Sequence, residues 1–166
     1  MRTKKLTLSS LFIALGTLTG HIVFIPVGVS KCFPVQHLIN VLSAVLLGPG
    51  YAVWNALAIS VFRNILGVGS PLAFPGSIFG ALFAGLAYQK WKRKLPAVIG
   101  EVAGTSILGG LASYPLAKYV LGQEIAVFFF VVPFLVSTLG GSIIAYVALE
   151  AMENGEIIQK WYKREV

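Results

Sequence analysis

The sequence predicts an all-α integral membrane protein, a bundle of six transmembrane helices with both termini cytoplasmic, and three observations lead there. The chain has 166 residues, of which 57% are hydrophobic and only 11% charged, with a mean hydropathy of +0.83. A water-soluble domain needs about a quarter charged residues to hold its surface in water. The apolar residues form six runs separated by breaks bearing Gly, Pro or basic residues. Ten of the thirteen basic residues, Arg2, Lys4, Lys5, Lys90, Lys92, Arg93, Lys94, Lys160, Lys163 and Arg164, then fall on one side of the membrane when the runs are threaded alternately. Basic clusters at the ends of apolar runs mark the cytoplasmic side. The net charge of +7 is thus a topology signal, since it lies along no single solvated face that would suit nucleic acid.

Helix 1 is predicted from Lys5 to Ile25, stopped by Pro26 and Gly28. Its apolar run, at about 1.5 Å per residue, matches the hydrocarbon thickness of a bilayer, and no A-x-A site follows a short apolar core, so we predict an uncleaved span rather than a signal peptide. Ser10 with Ala14 and Gly16 with Gly20 are small residues four apart, which share a face and let another backbone approach closely in lipid. That neighbour is either a helix of the same chain or a partner subunit.

A loop from Val27 to Phe33 leads to Pro34, which suits the first turn of helix 2 because its missing N–H costs nothing there. Helix 2 is predicted to Leu47 and helix 3 from Tyr51 to about Leu66, around the turn Gly48-Pro49-Gly50. Both span only about 22 to 25 Å, short of a hydrocarbon core of about 30 Å, and short spans leave a recess at one side. Helix 4 is predicted from about Phe74 to Trp91, with Gly76, Gly80 and Ala84 four apart. Helix 5 runs from about Leu95 to Leu121 with Pro115 as a kink site, and helix 6 from about Ile125 to Leu149 with Pro133 inside it. Residues 1–150 form the membrane domain and 151–166 a charged cytoplasmic tail.

On this topology the polar residues of several segments converge at the outer leaflet. They include His21, the stretch Lys31 to Asn40 (KCFPVQHLIN), Arg63 and Asn64, Ser77, Tyr114 and Lys118, and the segment Phe128 to Ser137. An apolar, aromatic recess with a few hydrogen-bonding groups is the form of a small-molecule pocket. Gln36, His37 and Asn40 are the first candidates, since His37 and Asn40 share one helical face. Arg63, Ser77 and the aromatic walls Phe74, Tyr114 and Phe130 complete the candidate substrate-binding set. Arg63 and Glu101 are the two ionisable groups inside the membrane, where charge is expensive and marks a functional or paired role. Their depths leave direct pairing open, and Glu101 alternatively joins helices through a hydrogen bond. His21 and His37 lack a nearby carboxylate or thiolate set, so no metal site is predicted. Cys32, the single cysteine, is read as an apolar filler. No G-x-S-x-G, H-E-x-x-H or phosphate-cradling G-x-x-x-x-G-K is present, so neither catalytic residues nor a cofactor are predicted, and any ATP site lies on another chain.

Over residues 1 to about 150 the chain resembles the ThiW family, the thiazole-type substrate-binding components of energy-coupling-factor (ECF) vitamin transporters. The resemblance rests most on KCFPVQH and LAFPGS, within KKLTLSSLFIALG, IPVGVSKCFPVQHLINVLSAVLLGPGYA, RNILGVGSPLAFPGSIFGALFAGL, GEVAGTSILGGLASYP and FFFVVPFLVSTLGGSI. It implies a multi-pass protein of the bacterial or archaeal cell membrane that captures hydroxyethylthiazole, a thiamin precursor, from outside. Its partners would be a transmembrane coupling protein and two cytoplasmic ATPases. In such subunits an A-x-x-x-A pattern on helix 1 meets the coupling protein, and here Ser10 and Ala14 stand in that place, with Gly16 and Gly20 beyond. The alternatives are a component for another small vitamin or precursor, and a membrane assembly subunit without transport.

Overall fold

A computed structural model describes residues 2–20, 22–27 and 30–156. The described chain is helical, with six helices and one short antiparallel hairpin. The helices are α1 (Arg2–Thr19), α2 (Pro34–Leu46), α3 (Pro49–Ile65), α4 (Ala73–Trp91), α5 (Lys94–Val120) and α6 (Val131–Asn154). The hairpin pairs β1 (Ile25–Val27) with β2 (Ser30–Cys32), Ile25 opposite Cys32 and Val27 opposite Ser30.

The helix ends follow local chemistry. Proline opens α2 and α3 at a first-turn position where no N–H is needed. Between them Gly48 takes φ +94°, a left-handed conformation that side chains disfavour. Pro133, expected inside the last helix, lies in the first turn of α6, so it removes no hydrogen bond. The helix predicted from Ile125 therefore begins at Val131, and residues 121–130 form an irregular return from α5 after Gly122 at φ +64°. Helix α1 stops at Thr19 rather than Ile25 because Ile25, which precedes a proline, is held extended in the hairpin. Helix α5 relaxes into wider π-helical turns at Gly104–Gly109 and Leu116–Val120, the second just after Pro115. Helix α6 continues through the expected 150/151 boundary to Asn154, and residues 157–166 of the predicted tail lie outside the described chain.

Polarity is arranged inside out relative to a soluble protein. Ser43, Asn55, Ser60, Ser77, Ser113, Thr138 and Ser142 are buried, while Leu11, Leu18, Trp54, Ile65, Ile99, Ile143 and Val147 are exposed. Water would reverse that distribution, whereas lipid favours it. Two helices, α5 and α6, are long and apolar enough by themselves to cross a membrane. Ala44 of α2, Ala52 and Ala56 of α3, and Ala81 and Ala84 of α4 form a buried seam of small residues.

The helices also approach closely at their glycines. A Cβ on Gly100 or Gly104 of α5 would lie 2.6 Å from Phe83 O or 2.7 Å from Phe79 O of α4, and one on Gly109 would lie 2.4 Å from Gly76 Cα. Helices α4 and α5 therefore touch backbone to backbone. On α1 the outcome is divided. Gly16 packs against Ile59 and Ile39, and Gly20 against the Arg63 side chain, so both face inward, the first of the two alternatives open to them. Ser10 and Ala14 lie on the exposed side of α1.

Alternating helix directions gather the hairpin, the α3–α4 loop and residues 121–130 at one end of the bundle. The start of α1, the α4–α5 turn with its basic residues, and the end of α6 lie at the other. There Lys94 Nζ donates to Glu150 Oε2 at 2.5 Å and to Glu153, tying the start of α5 to the end of α6.

Candidate functional site

At the end of the bundle opposite the chain termini is a cavity of about 700 Å³. That size falls within the range of sites for small organic ligands. Its walls come from the start of α2, the end of α3, the start of α4, the middle of α5 and the start of α6, with the α3–α4 loop and residues 123–125 at its rim.

Helix α2 supplies the polar floor, and two of its adjacent residues each engage one of the buried ionisable side chains. Gln36 accepts from Arg63 Nη1 at 2.5 Å through Oε1 and donates to Ser60 Oγ at 2.9 Å through Nε2. His37 Nδ1 lies 2.8 Å from Glu101 Oε1. One turn on, Asn40 donates to the same Glu101 oxygen at 3.0 Å and to Ser77 O at 3.2 Å. Arg63 and Glu101 are 1% and 0% exposed, which decides that each needs partners inside the protein. They do not pair with each other. Instead Glu101 joins α5 to α2, the second of the two roles open to it.

Arg63 is also held from its other side. Its guanidinium carbon lies 3.7 Å from the centre of the Phe33 ring, and Nη2 reaches Val68 O at 3.4 Å. One cation thus ties α3 to α2, to the residue before α2 and to the α3–α4 loop. Phe33 is fixed in turn by its N–H, which donates to Ser137 Oγ at 2.8 Å, and Cys32 Sγ lies 3.0 Å from Pro133 O. The hairpin is thereby pinned to α6.

Of the predicted site residues, Gln36, His37, Arg63, Ser77 and Phe130 line the cavity. Asn40 sits beneath the floor, fully buried. Phe74 and Tyr114, expected as walls, are not among the lining residues. Phe74 lies in the first turn of α4, and the Tyr114 hydroxyl is bonded to Lys118 Nζ at 3.3 Å near the end of α5. Phe129 and Phe134 take their place as aromatic wall. His21 lies outside the described residues, as does the Lys31 side chain.

Within the predicted stretch Lys31 to Asn40, Cys32 and Phe33 both line the cavity, Cys32 thereby being more than a filler. Sequence reasoning missed Thr105, which lines it too, four residues after Glu101 and hence on the same face, a spacing that could have identified it. It also missed the partner of Glu101, for nothing in a sequence separation of 64 residues announces the contact with His37. Among the described residues, no three His, Cys, Asp or Glu side chains gather as a metal site.

With this geometry in view, comparison with known proteins gives one match. The family described as "Thiamine-precursor transporter protein (ThiW)" matches residues 6–155. No curated protein and no solved structure matches the chain.

Proposed function

The chain belongs to the ThiW family of thiamine-precursor transporters, and on that premise we propose that it is the substrate-binding component of an ECF-type importer. It takes hydroxyethylthiazole from outside the cell and passes it to a transmembrane coupling protein driven by two cytoplasmic ATPases. The family is one of transporters and not of enzymes. The protein spans the cell membrane six times with both termini cytoplasmic, and Ser10 and Ala14 on the open side of α1 meet the coupling protein.

One observation carries the reading: a cavity of about 700 Å³, lined by Phe129, Phe130, Gln36 and His37, opens at the end of the bundle away from the basic termini. A small heteroaromatic alcohol needs what that cavity offers, aromatic faces for the ring and a few fixed polar atoms for the hydroxyl. Gln36, His37, Ser77 and Phe130 meet the ligand, Arg63 completes the site by orienting Gln36, and Asn40 supports it from below.

Titration of the purified protein with hydroxyethylthiazole should give saturable binding, weakened about tenfold by His37→Ala, the worth of one good hydrogen bond. Asn40→Ala should weaken it as well, by loosening Glu101 beneath His37. Unchanged affinity in both variants would remove the α2 residues from the site. The single Cys32 supplies an independent measurement, since it lines the same cavity. Bound ligand should slow its alkylation by a small thiol reagent, and equal rates with and without ligand would exclude occupancy of this cavity.

The topology has its own test. A reporter fused at Lys92, in the turn between α4 and α5, should read as cytoplasmic, and an external reading there would reverse the orientation of the cavity.

A further inference from the structure

The two ring nitrogens of His37 stand in different surroundings. Nδ1 lies 2.8 Å from Glu101 Oε1, on the side away from the cavity, because Glu101 is fully buried and is not one of the cavity's lining residues. Among the described residues Nε2 has no hydrogen-bond partner, and it is not one of the buried polar atoms sealed from solvent, so it faces the cavity that His37 lines.

Which nitrogen carries the proton follows from the other partners of Glu101. Asn40 Nδ2 donates to Oε1 at 3.0 Å and to Ser77 O at 3.2 Å. Turning that amide over would set its oxygen against two acceptors, so Nδ2 is the atom in contact and Oε1 is receiving. Thr105 Oγ1 lies 3.2 Å from the same oxygen and 3.2 Å from Gly76 O, so its one proton is shared between two acceptors. The Glu101 oxygen that accepts from Asn40 also accepts from the imidazole, which puts a proton of His37 on Nδ1 and leaves the lone pair to Nε2. Three polar neighbours of His37 in the wall are engaged already, Gln36 with Ser60 and Arg63, Ser77 with Ala73 O and Cys32 with Pro133 O, whereas Gln123 and Glu124 stand at the rim.

We infer that Glu101 is a positioning residue: by holding the His37 proton on Nδ1 it makes Nε2 an acceptor on the α2 floor of the cavity, and so favours ligands that donate a hydroxyl proton there. The inference rests on the small-alcohol reading above and adds the group that enforces it. A carboxylate one layer behind the ligand thereby sets a preference without touching the ligand, as outer partners of histidine do at other sites.

The test combines imidazole ¹⁵N spectroscopy of the purified full-length protein, with His37 assigned by difference against His37→Gln, and binding of hydroxyethylthiazole against its methyl ether. In the wild type, His37 should carry its proton on Nδ1, and the alcohol should bind about tenfold tighter than the ether, one hydrogen bond's worth. Glu101→Gln should preserve both results, because Asn40 and Thr105 hold the amide oxygen where Oε1 was. Glu101→Leu should move the proton to Nε2 and shrink the alcohol preference below about twofold, since nothing then accepts from Nδ1. A proton on Nε2 in the wild type, as the other tautomer or as imidazolium, overturns the inference, and so does an undiminished preference in Glu101→Leu. Should the leucine variant not fold, the wild type and Glu101→Gln decide by the same tautomer criterion. If neither alcohol nor ether binds while the proton sits on Nδ1, the substrate reading fails and the Glu101–His37 assignment stands.

Discussion

Gly141→Ala is expected to lower the stability of the protein by about 3 kcal/mol, the upper end of what overpacking costs. A Cβ at Gly141 would lie 2.1 Å from Pro34 O, 2.8 Å from Leu38 N and 2.8 Å from His37 Cβ. Two of those neighbours are backbone and the third is the stem of a side chain, so no rotamer change relieves the clash, and α2 must move off α6. The next residue is the control. A Cβ at Gly140 would meet only Pro34 carbons at 3.7 Å, an ordinary contact. Gly140→Ala should therefore be neutral or stabilise by up to about 1 kcal/mol, through helix propensity alone. Denaturant titration of both variants in detergent makes the comparison, and equal stabilities would show that the α2–α6 contact is looser than described. Because the displaced segment carries Gln36 and His37, ligand affinity should fall in Gly141→Ala and hold in Gly140→Ala.

This pair of glycines also marks how far the sequence could be read. Six apolar runs, their proline and glycine breaks and the small-residue spacings are local patterns, and the helices stand close to where those patterns put them. The small-residue spacing Gly76, Gly80 and Ala84 announced that helix 4 is closely surrounded, and Gly100 and Gly104 of α5 do approach its backbone. What pattern could not supply was register between helices. Gly140 and Gly141 are indistinguishable as letters, and only the approach of Pro34 tells them apart. The same limit hid the His37–Glu101 contact and the choice of Phe129 and Phe134 as lining rings over Phe74 and Tyr114, since each depended on the rotation of one helix against another. Pro133 lies within the last helix as expected, in its first turn, because the helix begins at Val131 rather than at Ile125. The hairpin was read as a loop because its strands are only three residues each, too short for alternation to register.

Arg63→Ala is expected to weaken hydroxyethylthiazole binding by about thirtyfold, the loss of roughly 2 kcal/mol that a charge-assisted hydrogen bond contributes. The route is indirect, through Gln36. Its amide is oriented by two contacts, Oε1 to Arg63 and Nε2 to Ser60, and without the guanidinium the buried oxygen has no donor. The amide then turns within the cavity it lines, and Phe33 loses the cation stacked on its ring. Arg63→Lys should recover little, because a single ammonium cannot serve Gln36, Val68 O and the Phe33 face together as the planar fork does. Stability should change less than affinity, since removing a buried cation also removes its desolvation cost. A double-mutant cycle isolates the mechanism. If Arg63 acts through Gln36, then Gln36→Leu alone should match the loss in Arg63→Ala, and the two together should lose no more than either one. Additive losses would instead mean that the guanidinium meets the ligand itself, which would turn the cavity's preference from a neutral alcohol toward an anion.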